Sequence, residues 1–116
     1  MRRFKILSGQ TLIGWSDLEA GDPPMGVAFG QFIPITSYDK IQASIIASNE
    51  LDQYHLSLSA KTAENLNLEA TGGIHITDLS TEFGGEAIEV SVLGIESSVY
   101  EKLFPEHVLA YKNQFS

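Results

Sequence analysis

The chain has 116 residues, 43% hydrophobic and 19% charged, which suits one domain (residues 1–116) with a single core and excludes a disordered composition. Cysteine is absent, so a disulfide framework, a thiolate metal site and a cysteine nucleophile are all excluded, which is compatible with a reducing compartment. The net charge is −8, and eight acids with no Lys or Arg fall between Lys61 and Lys102, an imbalance that argues against nucleic-acid or membrane binding and for a basic protein partner.

The basic front, Arg2, Arg3 and Lys5, is that of a signal peptide, but its apolar run at 4–7 is broken by Lys5 and stopped by Ser8-Gly9-Gln10, too short for a leader. No stretch approaches the roughly 18 apolar residues of a membrane span, and a cytoplasmic protein is expected. Segments 4–7 and 11–15 flank that Ser-Gly-Gln turn and predict an N-terminal hairpin. Gly21-Asp22-Pro23-Pro24 is turn chemistry. Beyond it, 25–33 alternates as a strand, with Met25, Val27, Phe29, Gln31 and Ile33 on one face. Gly26, Ala28, Gly30 and Phe32 share the other, where small residues let the next helix or another strand approach closely. The glycines match neither a dinucleotide fingerprint nor a phosphate loop.

One main helix is expected over about 36–50, capped by Thr36 or Ser37, with Tyr38, Ile41 and Ile45 as its apolar stripe. From Tyr54 the period changes to two. Segments 54–60, 65–70, 73–79 and 86–93 alternate between turns and read as an antiparallel β-meander. A short closing helix over 95–104 is stopped by Pro105, and His107 beyond it reads as a surface residue. The expected class is α+β: an antiparallel sheet with an N-terminal hairpin, one main helix, a C-terminal meander and a short closing helix.

The run from Gly14 to Pro34, "GWSDLEAGDPPMGVAFGQFIP", followed by Tyr38, resembles a signature of small uncharacterised bacterial proteins. The resemblance covers about a fifth of the chain. It implies a bacterial source and carries over no activity and no catalytic residue.

The histidines, His55, His75 and His107, fit no metalloprotease spacing, and no Gly-x-Ser-x-Gly elbow is present. Pairing Leu56 with Leu68, Leu68 with Ile76 and Ile76 with Ile88 would set His55, Glu69, His75 and Glu89 in one row on the outer sheet face. Imidazole and carboxylate are ligands for a divalent metal and also the parts of an oriented general base. The same residues otherwise make exposed cross-strand pairs. Three functions follow. The leading one is a non-catalytic acidic protein-binding module of the inhibitor or immunity type, needing no cofactor. The second is a small enzyme or metal-binding protein using the His/Glu row, and the third a small-ligand domain around Trp15, Asp22 and the glycine strand.

Overall fold

The computed structural model describes residues 3–115, so Arg2 of the basic front lies outside the described residues. The fold is α+β, and two antiparallel four-stranded sheets carry it. The first sheet holds β1 (Phe4–Ser8), β2 (Thr11–Ser16), β5 (Ile33–Pro34) and β6 (Leu58–Thr62), in the order β5-β2-β1-β6. The second holds β3 (Ala20–Asp22), β4 (Val27–Gln31), β7 (Gly73–Asp78) and β8 (Ile88–Leu93), in the order β3-β4-β8-β7.

The N-terminal hairpin forms as expected, with Gly9 in its turn at φ 59° and a bulge where Ile6 pairs Gly14 but Leu7 pairs Leu12. Ile13 is the extra residue. It is buried beside Gly14, so the bulge keeps both on the core side. In β4 and its flanks the alternation holds: Gly26, Ala28, Gly30 and Phe32 are all buried. What approaches the glycines is not the helix after Ser37. A Cβ on Gly26 would lie 2.5 Å from the Ile95 carbonyl, and one on Gly30 would strike Glu19. Gly26 is also left-handed, at φ 65°, which closes the Pro23–Met25 turn. Phe32 does meet the later segment, its ring 5.0 Å from that of Tyr38.

The expected main helix is interrupted. Residues Thr36–Lys40 form a 3-10 turn, and α1 (Gln42–Ala47) is only six residues long. Ser37 does not cap; its hydroxyl donates to the Leu12 carbonyl. The Ser48 hydroxyl turns back to the Ser44 carbonyl at 2.7 Å, and the chain leaves the helix there. Beyond it, Asn49 and Gln53 are drawn to β7. Gln53 accepts from the Ile76 N–H at 2.9 Å and donates to the Ile76 carbonyl at 2.8 Å. Asn49 does the same at Asp78, with both bonds at 2.8 Å. Two side-chain amides thus pair like a neighbouring strand along the outer edge of β7.

The meander is split between the sheets. Tyr54–Leu56 is a 3-10 turn, left-handed Ser57 (φ 49°) ends it, and β6 then pairs with β1 instead of joining β7. Residues 65–70 form no strand; one bridge, Lys61 to Asn67, holds them against β6. Only β7 and β8 pair as neighbours. They are joined by α2 (Ser80–Phe83) and the Gly84-Gly85 turn.

Pro105 does end α3 (Ser97–Leu103), and it also opens α4 (Pro105–Asn113), where its missing N–H costs nothing in the first turn. This brings His107 inside: it is 7% exposed, stacked on Phe104 at 5.1 Å, with Nε2 2.7 Å from the Leu18 carbonyl. The inner faces of both sheets and Tyr38, Ile45, Tyr100 and Phe104 form one core cluster. Among the described residues, no helix is long and apolar enough to cross a membrane.

Candidate binding face

The second sheet turns Ala28, Gly30, Ile76, Val90 and Val92 inward, which leaves the alternate residues facing out. On that outer face Phe29 stands between Ala20 of β3 and Ser91 of β8. Phe29 is half-buried, with no layer packed over it. It forms the floor of a depression of about 490 Å³ that reaches Thr77, Leu79, Glu86 and Glu89 on one side. A second depression, sharing Glu19, Ala20 and Phe29, continues to Asp22 and to Tyr111 and Gln114 of α4. The two depressions meet at Ala20 and Phe29 and run obliquely over β4, from Asp22 on β3 to Glu89 on β8.

The rim is acidic at both ends of β4. At its start, Val27 pairs with Asp22; at its end, Gln31 pairs with Glu89 and its N–H donates to Glu19 Oε2 at 2.8 Å. Gly30 makes room for this Glu19 side chain. Glu19, Asp22, Glu86 and Glu89 are exposed, and among the described residues the ion pair is Arg3–Glu106, elsewhere. Phe83, on the α2 turn between Leu79 and Glu86, is 70% exposed.

The expected row of His55, Glu69, His75 and Glu89 is not assembled. His55 sits in the exposed 3-10 turn, and Glu69 lies in the irregular link after β6. His75 and Glu89 do share the outer face, but the register pairs Ile76 with Val90 rather than Ile88, so His75 faces Ser91 and Glu89 faces Thr77. A slip of two residues keeps every side chain on its face and changes every neighbour. The His75 ring instead meets the Asn49 carbonyl, at 2.8 Å. Among the described residues, no three His, Asp or Glu side chains are grouped to hold a metal ion. Trp15 and Asp22 are also separated. Trp15 lies in the first sheet, with Lys5 Nζ 5.8 Å from its ring centroid, whereas Asp22 ends β3 in the second.

One polar cluster is buried, and sequence reading did not find it. Asp78, 1% exposed, accepts from the Tyr38 hydroxyl at 2.7 Å, from Gln42 Nε2 at 3.1 Å and from the Ser80 N–H at 2.8 Å. Burial alone would raise its pKa, but these bonds outweigh it and hold the carboxyl below the usual range. The Tyr38 and Gln42 arms join the segment 38–42 to the end of β7, and the Ser80 arm fixes the turn that follows, a structural role. Sequence reading also missed Glu19, Glu86 and Phe29 as members of one face. The available signal was Phe29 itself, a large aromatic on the side of its strand opposite the glycines.

No family model, curated protein or solved structure matches this chain, so the geometry carries the functional reading alone.

Proposed function

We propose that this is a bacterial, cytoplasmic, non-catalytic protein-binding module of the inhibitor or immunity type, which holds a basic protein partner. The observation behind this reading is the outer face of the second sheet, where a half-buried Phe29 lies within a rim of carboxylates that lack cationic partners among the described residues. An aromatic anchor inside a charged rim is the composition of a protein contact, and the acidic field steers a cationic partner to it. The histidines do not favour an enzyme: His75 and His107 spend ring nitrogens on backbone carbonyls, and His55 stands alone in a turn.

The test is chemical cross-linking in the native host, followed by reconstitution of the purified pair. The expected partner is basic and binds with a defined stoichiometry. Its affinity should fall by at least tenfold between about 50 and 300 mM salt, as screened surface charge requires. An acidic partner, or an affinity indifferent to salt, would overturn the reading.

A further inference from the structure

The four sheet edges offer a partner little to pair with. β5 is two residues long and contains Pro34. Along β6, the Ala60 carbonyl accepts from the Leu68 N–H at 2.9 Å and the Thr62 N–H donates to the Leu66 carbonyl at 2.8 Å. Asn49 and Gln53 occupy β7, and α4 lies against the three residues of β3. Addition of a strand at these edges is therefore hindered, and the larger open surface for a partner is a face.

We infer that the acidic groove over β4 accepts an extended segment with Lys or Arg at positions i and i+4 and an apolar side chain at i+2, laid over the outer face of the second sheet. This rests on the reading of a basic protein partner and specifies how that partner is held. The spacing comes from β4 itself. Val27, Phe29 and Gln31 point outward, with Asp22 beside the first and Glu19 and Glu89 beside the last. Four residues of strand span about 13 Å, and an extended partner places its i and i+4 side chains at the same separation on one side of its backbone. Its apolar i+2 side chain then falls on Phe29 and Ala20. Its two cations reach Asp22 at one end and Glu89 at the other. The order acid, aromatic, acid along β4 is complementary to base, apolar, base.

The experiment is an amide-resolved NMR titration of the protein with two acetylated, amidated peptides of equal charge. One contains Lys-Ser-Leu-Ser-Lys, and the other has the order Lys-Lys-Ser-Ser-Leu. The first peptide should shift the amides of Asp22, Phe29, Gln31 and Glu89. It should bind at least threefold more tightly than the second, and lose at least fivefold in the Asp22→Asn/Glu89→Gln double variant. Both replaced carboxylates are exposed, and an unchanged circular dichroism spectrum would verify that the double variant is folded. Shifts confined to other residues would overturn the groove while leaving the basic-partner reading intact. Equal affinity for both peptides on the groove would overturn the spacing. Failure of the first peptide to bind at low salt would overturn the inference, and reconstitution of the host's partner would then decide the broader reading separately.

Discussion

Tyr38 and Asp78 are 40 residues apart in sequence and share one buried hydrogen bond. Burial and the adjacent carboxylate together push the tyrosine pKa far up, so its hydroxyl remains a donor at every physiological pH. Removing that hydroxyl in Tyr38→Phe should cost about 2 kcal/mol in urea unfolding, because it leaves a buried carboxylate short of one donor. Asp78 has a folded pKa below its unfolded value of about 3.9. Its contribution is therefore complete above about pH 4 and disappears as pH falls through the lower folded pKa. Asp78→Asn should be less stable than the parent at pH 7, with the gap closing in stability curves taken toward pH 2. Tyr100 follows similar logic: burial first, then the charges of Asp22 and Glu106, push its hydroxyl up to about 12, and it donates to the Val27 carbonyl at 2.8 Å. Gly30 shows the opposite sensitivity, to added atoms. Its missing side chain leaves the room that Glu19 fills, and a Cβ there would lie 2.9 Å from the Glu19 backbone nitrogen. Gly30→Val should lose about 2 kcal/mol or more by the same unfolding assay, since backbone cannot swing aside as a side-chain tip does.

Secondary-structure elements fared differently according to how local their causes were. The hairpin was legible because the Ser8-Gly9-Gln10 turn and its flanking strands are contiguous. So was the buried face of β4, where alternation alone separates Gly26, Ala28 and Gly30 from Phe29. The long helix was not legible, because its end is decided by β7, whose backbone engages Asn49 and Gln53 from a distance of more than 20 residues. The meander failed for a similar reason. A period of two marks a strand but says nothing of which sheet it joins, and Ser57 redirected β6 to β1. The site suffered most, since a register error of two residues left His75 and Glu89 on their predicted face while giving each another neighbour. The amide pairing on β7 can be probed directly. Gln53→Ala should strip both partners from the Ile76 peptide, destabilise the fold by about 2 kcal/mol, and speed hydrogen exchange at Ile76 more than at core amides of β8.

At the scale of the molecule, charge and shape act together. The first sheet carries Lys5 and Lys61 as cross-strand neighbours beside Trp15, while the outer face of the second gathers Asp22, Glu86 and Glu89. With a net charge of −8, the long-range field belongs to the acids. Binding to duplex DNA or anionic vesicles should accordingly be undetectable at physiological salt by fluorescence anisotropy or co-sedimentation. Micromolar, salt-sensitive DNA binding would show that the lysine side dominates instead.

The ring of Phe4 stacks on that of Phe104 at 5.4 Å, and the Arg3 guanidinium lies over both rings while one of its N–H groups donates to the Leu103 carbonyl. During synthesis, therefore, β1 waits for a helix that follows it by 100 residues. Until residue 104 emerges, Phe4 has no aromatic partner and the inner face of β1 stays open at that end. The contact that closes this end of the core is thus one of high sequence separation, whose loop-closure entropy makes it late to form.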